Sequence, residues 1–207
     1  MILSPNDIIL FQGDSVTDCE RDRINSKDLG YGYPKLIADY IAKNHPKLNL
    51  TIYNRGISGN RACDLRMRWQ RDCIDLKPTI VSILIGINDV WRRYDANHET
   101  SAASYESSYR KILQKIKDNL NAKIIMMEPF VNPFPDDRKQ WREDLNPKLE
   151  VVHKLADEFG AILIPLDKIF AQAYPTKPAD YYAYDGVHPT MAGHELIAQN
   201  WLKIIKN

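Results

Sequence analysis

Apolar positions in this chain alternate between two patterns. Short unbroken runs, of which 80–87 is the longest, have the length and β-branched content of buried strands. Between them apolar residues recur three and four apart, as on one helix face: Leu36, Ile37, Tyr40 and Ile41; Leu65, Trp69 and Cys73; Tyr105, Tyr109, Ile112, Leu113, Ile116 and Leu120. The pattern predicts strands over 7–12, 50–53, 79–85, 123–127 and 161–166, and helices over 33–44, 62–76, 101–120, 138–159 and 190–205. Pro78 ends the second helix and Pro147 is a candidate break in the fourth. Segments 129–135 and 174–189 read as loops.

Five continuous apolar strands separated by helices imply a parallel sheet covered on both faces. Right-handed crossovers turn it into a three-layer α/β/α sandwich. No repeat, low-complexity tract or long linker interrupts the pattern, so 1–207 reads as a single domain. A chain this long buries about 70% of its unfolded surface and requires no disulfide or metal staple. Ligands of such sheets bind at the carboxyl ends of the strands, so the chemistry is sought there.

Gly13-Asp14-Ser15 follows the first strand, 54–60 the second, Gly86-Ile87-Asn88-Asp89 the third, and Asp185-Gly186-Val187-His188 precedes the last helix. Ser15, on a tight turn, can present a hydroxyl as nucleophile but needs a base. His188 suits that role, and Asp185, three residues earlier, can fix its tautomer and stabilise the imidazolium. Pro189 is expected to open the closing helix. A tetrahedral intermediate needs donors set in advance; the N–H groups of Ser15 and Gly59 and the side-chain amide of Asn88 are the candidates. Asp14 and Asp89 are supporting residues, Asp89 by ordering its loop through backbone N–H groups. Each short motif alone is weak; four in order, each at a strand exit, are specific.

Composition narrows the partners. With 28 basic and 27 acidic residues the net charge is +1, which argues against a nucleic-acid binder. No apolar run approaches the ~18 residues of a membrane span, and the start lacks the basic segment of a signal peptide. Cys19, Cys63 and Cys73 have no framework spacing and read as buried or half-buried thiols in a reducing, cytoplasmic setting. Asp185 and His188 have no third ligand spaced to join them, so no metal or other cofactor is expected. His45 reads as a helix C-cap, His98 and His153 as solvent-facing, and His194 as a satisfied helix histidine.

Arg55, Arg61, Arg66, Arg68 and Arg71, interleaved with Asp64, Asp72 and Asp75, read as an ion-paired helix face, with a subunit contact or an acidic-sugar site as the alternative. Trp91, Tyr94, Phe130, Phe134, Trp141, Tyr181, Tyr182 and Tyr184 fall on predicted loops; they suit sugar rings and core packing equally. Of these, Trp91 and Tyr184 are assigned to the substrate pocket. The aromatic loops and arginine face would also suit a homo-oligomer.

The four blocks resemble those of the SGNH hydrolases, the GDSL esterase/lipase family, over nearly the whole chain. Ser15, Gly59, Asn88 and His188 match the residues that name that family, and Asp185 its triad acid. Val16 replaces the common Leu or Ile after the serine, a like-for-like apolar change. The resemblance implies a flavodoxin-like fold. Segments 13–19, 54–60 and 85–92 further resemble the intracellular acetylxylan esterase branch, which removes acetyl groups from xylo-oligosaccharides. The expected partner is thus a small-molecule or oligosaccharide ester, and the loops lack an apolar lid for lipid. A lipolytic or thioester acyl hydrolase of the same fold is the alternative, and an idle carbohydrate-binding protein a further one.

Overall fold

The computed structural model describes residues 2–206. Five strands, β1 (Ile8–Gly13), β2 (Thr51–Asn54), β3 (Ile80–Leu84), β4 (Lys123–Met127) and β5 (Ile162–Ile164), form one parallel sheet in the order β2-β1-β3-β4-β5. The chain leaves β1 toward one edge and returns beyond it as β3. The crevice between the ends of β1 and β3 is therefore the topological switch point, where doubly wound sheets hold their ligands.

Eight helices cover the sheet: α1 (Ser15–Asp18), α2 (Tyr33–Asn44), α3 (Ala62–Asp72), α4 (Ile87–Ala96), α5 (Ala102–Asn119), α6 (Arg142–Phe159), α7 (Leu166–Ala173) and α8 (Met191–Lys206). Alternation along the strands divides the core in two. Leu10, Val81, Ile83, Ile124 and Met126 pack under α3, α5 and α6. Ile9, Phe11, Leu84, Ile125 and Met127 pack under α2, α7 and α8. Ser82, on the α8 side of β3, is buried but accepts the indole N–H of Trp201 at 3.1 Å, which satisfies both groups. None of the described helices is long and apolar enough to cross a membrane.

The layered fold is as expected from the hydrophobic pattern, and α2 and β4 have the expected bounds. Helix α4 was not expected, so Trp91 and Tyr94 lie on a helix rather than a loop. Its apolar residues Ile87, Val90, Trp91 and Tyr94 recur at i, i+3, i+4 and i+7 and pack in one cluster, a helical stripe masked in the sequence because Ile87 continues the apolar run of β3 and Asn88-Asp89 read as a strand exit. Helix α7 was hidden in the apolar run after β5: Pro165 ends the strand, and Leu166 and Phe170, four apart, anchor a helix instead. A 3-10 turn, Asp136–Trp141, occupies the start expected for α6, and a second, Ile74–Leu76, the end expected for α3.

Pro147 does not break α6. It and Glu143, whose carbonyl loses its partner, both lie on the exposed side, where water can replace the missing bond. Pro189 does not open α8; the helix begins at Met191, with the Thr190 hydroxyl accepting the Gly193 N–H at 3.4 Å. Phe130 stacks on Phe170 at 3.9 Å and Trp141 is fully buried, so both belong to packing rather than to a binding surface.

The arginine-rich face is ion-paired in part, through Arg61–Asp64, Arg68–Asp72 and Arg71–Asp72, while Arg55 donates to the carbonyls of Ser26 and Asn54 instead. Asp75 pairs instead with the Gln70 amide at 2.8 Å. Cys19 and Cys63 are half-buried and Cys73 is buried, all free thiols. His45 caps α2. His98 is exposed, whereas the half-exposed His153 hydrogen-bonds the buried carboxylate of Glu128.

Candidate active site

The strand exits converge as the topology requires. Gly13 closes β1 where a Cβ would stand 2.3 Å from the Leu84 carbonyl, so only glycine lets β1 and β3 approach this closely before the turn. The Asp14 carboxylate accepts the Val16 N–H at 3.1 Å and starts α1, whose first residue is Ser15. Burial pushes the Asp14 carboxyl up to about 7.

Ser15 Oγ lies 2.9 Å from His188 Nε2, and His188 Nδ1 lies 2.7 Å from Asp185 Oδ2. An ionised carboxylate only accepts, so Nδ1 carries the proton and Nε2 is left to accept from the Ser15 hydroxyl. Asp185 Oδ1 also accepts the N–H groups of Val187 (3.0 Å) and His188 (2.7 Å). Burial raises the Asp185 carboxyl, but these hydrogen bonds outweigh it and hold the group below its ordinary value. A serine, an imidazole whose Nε2 is free to accept and a half-buried carboxylate in this sequence of contacts can generate an alkoxide-like nucleophile and store its proton.

The Asp185–His188 loop is fixed from behind. Gly186 has φ of 85°, and a Cβ there would meet the Phe134 carbonyl at 2.1 Å. Asn132 N–H donates to Gly186 O (2.8 Å) and Arg138 Nε to Asp185 O (3.1 Å). The Arg138 guanidinium lies over the Trp141 ring at 4.2 Å and over Trp91 at 5.2 Å. Trp91 in turn packs on the His188 ring at 5.5 Å, and Tyr184 stacks nearly parallel to that ring at 5.7 Å. The 130–141 segment is thus the buttress of the catalytic loop.

On the other side of Ser15, Asp18 Oδ2 accepts the N–H and the hydroxyl of Ser58, each at 3.0 Å. Asn54 ties the same loop to α1, accepting the Gly56 N–H at 2.8 Å and donating to Thr17 O at 2.6 Å. Gly59 follows with φ of 82°. Asn88 lies in the first turn of α4, and its Nδ2 spends one hydrogen on Asn60 O at 3.1 Å, leaving the second available. Asp89 accepts the Ala62 N–H at 3.0 Å and so starts α3, the backbone-ordering role expected of it. Its carboxyl is pushed up to about 7, chiefly by burial.

A cleft of about 320 Å3 opens at Ser15 and His188, walled by Cys19, Glu20, Ser58, Tyr184 and His194. Tyr184 therefore lies where expected, while Trp91 reaches the site through the back of the imidazole. His194 accepts the Tyr33 N–H on Nδ1 (3.2 Å), which leaves the Nε2 hydrogen facing Cys19 Sγ at 3.4 Å. Burial lowers His194 to about 4, so it is neutral at pH 7. It is the satisfied helix histidine expected, yet it also lines the cleft. Sequence reasoning missed Asp18, Glu20 and Arg138. Only the Asp-Cys-Glu-Arg run, 18–21, close to Ser15 could have drawn attention to the first two. No group of three or more His, Cys, Asp or Glu among the described residues could hold a metal ion.

This geometry has close counterparts. The acetylxylan esterase of Geobacillus stearothermophilus is 33% identical over 213 residues, spanning 99% of this chain and 96% of that protein. Its crystal structure superposes with a TM-score of 0.89 at 33% identity, covering 100% of this chain and 97% of that one. Its catalytic mutants include replacements of a serine, a histidine and an aspartate by alanine. A putative GDSL-like lipase from Parabacteroides merdae superposes with a TM-score of 0.92 at 36% identity, covering 97% and 96% of the two chains. The profile of the GDSL-like lipase/acylhydrolase family matches residues 11–196, from within β1 into α8, and thus takes in every strand exit described above. The chain belongs to that family and is a carboxylic ester hydrolase.

Proposed function

We propose that this enzyme removes acetyl groups from carbohydrates such as xylo-oligosaccharides, with Ser15, His188 and Asp185 as its triad. The observation that carries this reading is the relay from Ser15 Oγ to His188 (2.9 Å) and on to Asp185 (2.7 Å), whose first two members line a small cleft. Ser15 Oγ attacks the ester carbonyl as His188 Nε2 takes its proton. The carbonyl oxygen becomes an oxyanion on the N–H groups of Ser15 and Gly59 and the free Asn88 amide hydrogen. The carbonyl reforms as the C–O bond to the alcohol breaks, and the alcohol leaves with the proton from His188. Water, deprotonated by His188, attacks the acyl-enzyme and releases acetate and free Ser15.

A cleft of only about 320 Å3, whose wall mixes hydroxyl, carboxylate and imidazole groups with Cys19, Pro189 and the Tyr184 ring, suits a short acyl group such as acetyl. The similarity to an acetylxylan esterase supports the same choice. Cytoplasmic action on imported oligosaccharides fits the three free thiols.

The test is a deacetylation screen over acetylated xylo-oligosaccharides, other acetylated sugars and nitrophenyl esters of increasing chain length. Acetyl esters should be cleaved fastest. Faster turnover of a chain of eight or more carbons would transfer the enzyme to the lipolytic class. In the same assay Asn88→Ala should lower kcat by about 10²–10³, the usual loss for one oxyanion donor. A change in KM alone would remove Asn88 from that role.

A further inference from the structure

Two consecutive non-glycine residues beside the nucleophile, Cys19 (φ 40°) and Glu20 (φ 60°), have left-handed backbone. That region is costly for a side chain that is neither glycine nor a short Asx group. The segment is pinned by Cys19 N–H to Ser15 O (3.0 Å), Arg21 N–H to Asp18 O (3.1 Å) and Tyr31 N–H to Cys19 O (3.0 Å). Its consequence is to place Glu20 in the wall of the cleft that contains Ser15 and His188.

A glutamate followed closely by Arg21 and Arg23 would ordinarily be neutralised by one of them. Here both arginines turn the other way. Arg23 pairs with Asp18 Oδ2, and Arg21 donates to Gly56 O at 3.0 Å with Asp18 Oδ1 3.9 Å away. Glu20 makes no hydrogen bond or ion pair with any described residue and is exposed to solvent. The other polar walls of the cleft are uncharged or committed: Ser58 to Asp18, and His194 to Tyr33 and Cys19. Among the described residues the cleft therefore carries one acceptor-only group with no hydrogen-bond or ion-pair partner, Glu20.

We infer that Glu20 determines specificity for the alcohol half of the ester: its carboxylate accepts hydrogen bonds from hydroxyls of a neutral polyol and repels alcohols that carry negative charge. A carboxylate has two oxygens with about four acceptor sites, enough to take two neighbouring hydroxyls at once. The inference rests on the carbohydrate-ester reading for its choice of substrate and concerns a residue outside the proposed triad.

The experiment compares Glu20→Gln and Glu20→Gly with the wild type on an acetylated methyl xyloside, on monoacetin and on nitrophenyl acetate. Glu20→Gln should lose about tenfold in kcat/KM on the two hydroxylated esters, mostly through KM, the size expected of one hydrogen bond to a charged group. Nitrophenyl acetate, whose alcohol half has no further hydroxyl, should stay within about twofold by the same reasoning. Glu20→Gly, which suits the left-handed backbone, should show the same selectivity with a melting temperature no lower than that of the wild type. Equal losses on all three esters, or none on the hydroxylated pair, would overturn the inference. A wild type that cleaves monoacetin in a Glu20-dependent way but no acetylated sugar would sink the carbohydrate reading and leave the role of Glu20 standing.

Discussion

Ser15→Ala lowers kcat for a short-chain nitrophenyl ester by about 10⁶-fold, the loss typical of a triad nucleophile, while the melting temperature stays close to that of the wild type. The hydroxyl makes one hydrogen bond, to His188, and Ser15 is half-buried, so its removal opens no core cavity. On the proposed mechanism, what disappears is the atom that would form the acyl-enzyme; His188 and the proposed oxyanion donors remain and would account for any residual rate. Labelling by a fluorophosphonate probe should vanish in parallel. Activity and labelling that persist in a folded Ser15→Ala enzyme would move the nucleophile elsewhere and remove the triad with it.

Asp185→Asn should cost about 10⁴-fold in kcat with KM little changed. The wild-type carboxylate uses both oxygens: Oδ1 on two backbone N–H groups, Oδ2 on the imidazole. An amide has one acceptor oxygen. If that oxygen keeps the backbone, the NH2 group faces Nδ1, forces the hydrogen to Nε2 and leaves no acceptor for the Ser15 proton. If the amide turns over, two N–H groups meet an NH2 and the loop loses its closure. Either way the proton transfer fails. A loss below about tenfold would reduce Asp185 to a loop-closing residue.

The same substitution has a sign in stability. The folded carboxyl lies below its unfolded value, so it contributes stability above about pH 4 that disappears as pH falls through the folded pKa. Asp185→Asn should therefore flatten acid unfolding measured by circular dichroism; an unchanged profile would show that the hydrogen bonds carry no net protonation linkage.

The sequence was most legible where burial is two-sided. Strands buried on both faces are apolar at nearly every position, the buried Gln12 and Ser82 being hydrogen-bonded, and α2 and α5 show a stripe, so these elements could be read directly. Helix α4 carries a helical stripe, Ile87, Val90, Trp91 and Tyr94, but was read as a loop because its first turn holds the strand-exit residues Asn88 and Asp89. Its sequence serves both the site and an amphipathic face. Pro147 misled for a related reason: the cost of a helical proline depends on whether the freed carbonyl faces water, which the sequence does not state.

Ser15, Asn88, Asp185 and His188 could be named from the chain because each follows a local rule, a strand exit or an i, i+3 spacing, that does not depend on the rest of the fold. The groups that hold them could not. Arg138 meets the Asp185 carbonyl across 47 positions, and Asp18 meets Ser58 across 40. Glu20 is free only because two neighbouring arginines turn to another carboxylate. By itself, then, the sequence determined the layered sheet and nominated the candidate reacting groups, through periodicity and short-range spacing. The tertiary structure alone decided how those groups are buttressed and which side chains share the cleft wall, because both depend on contacts between segments distant in the chain.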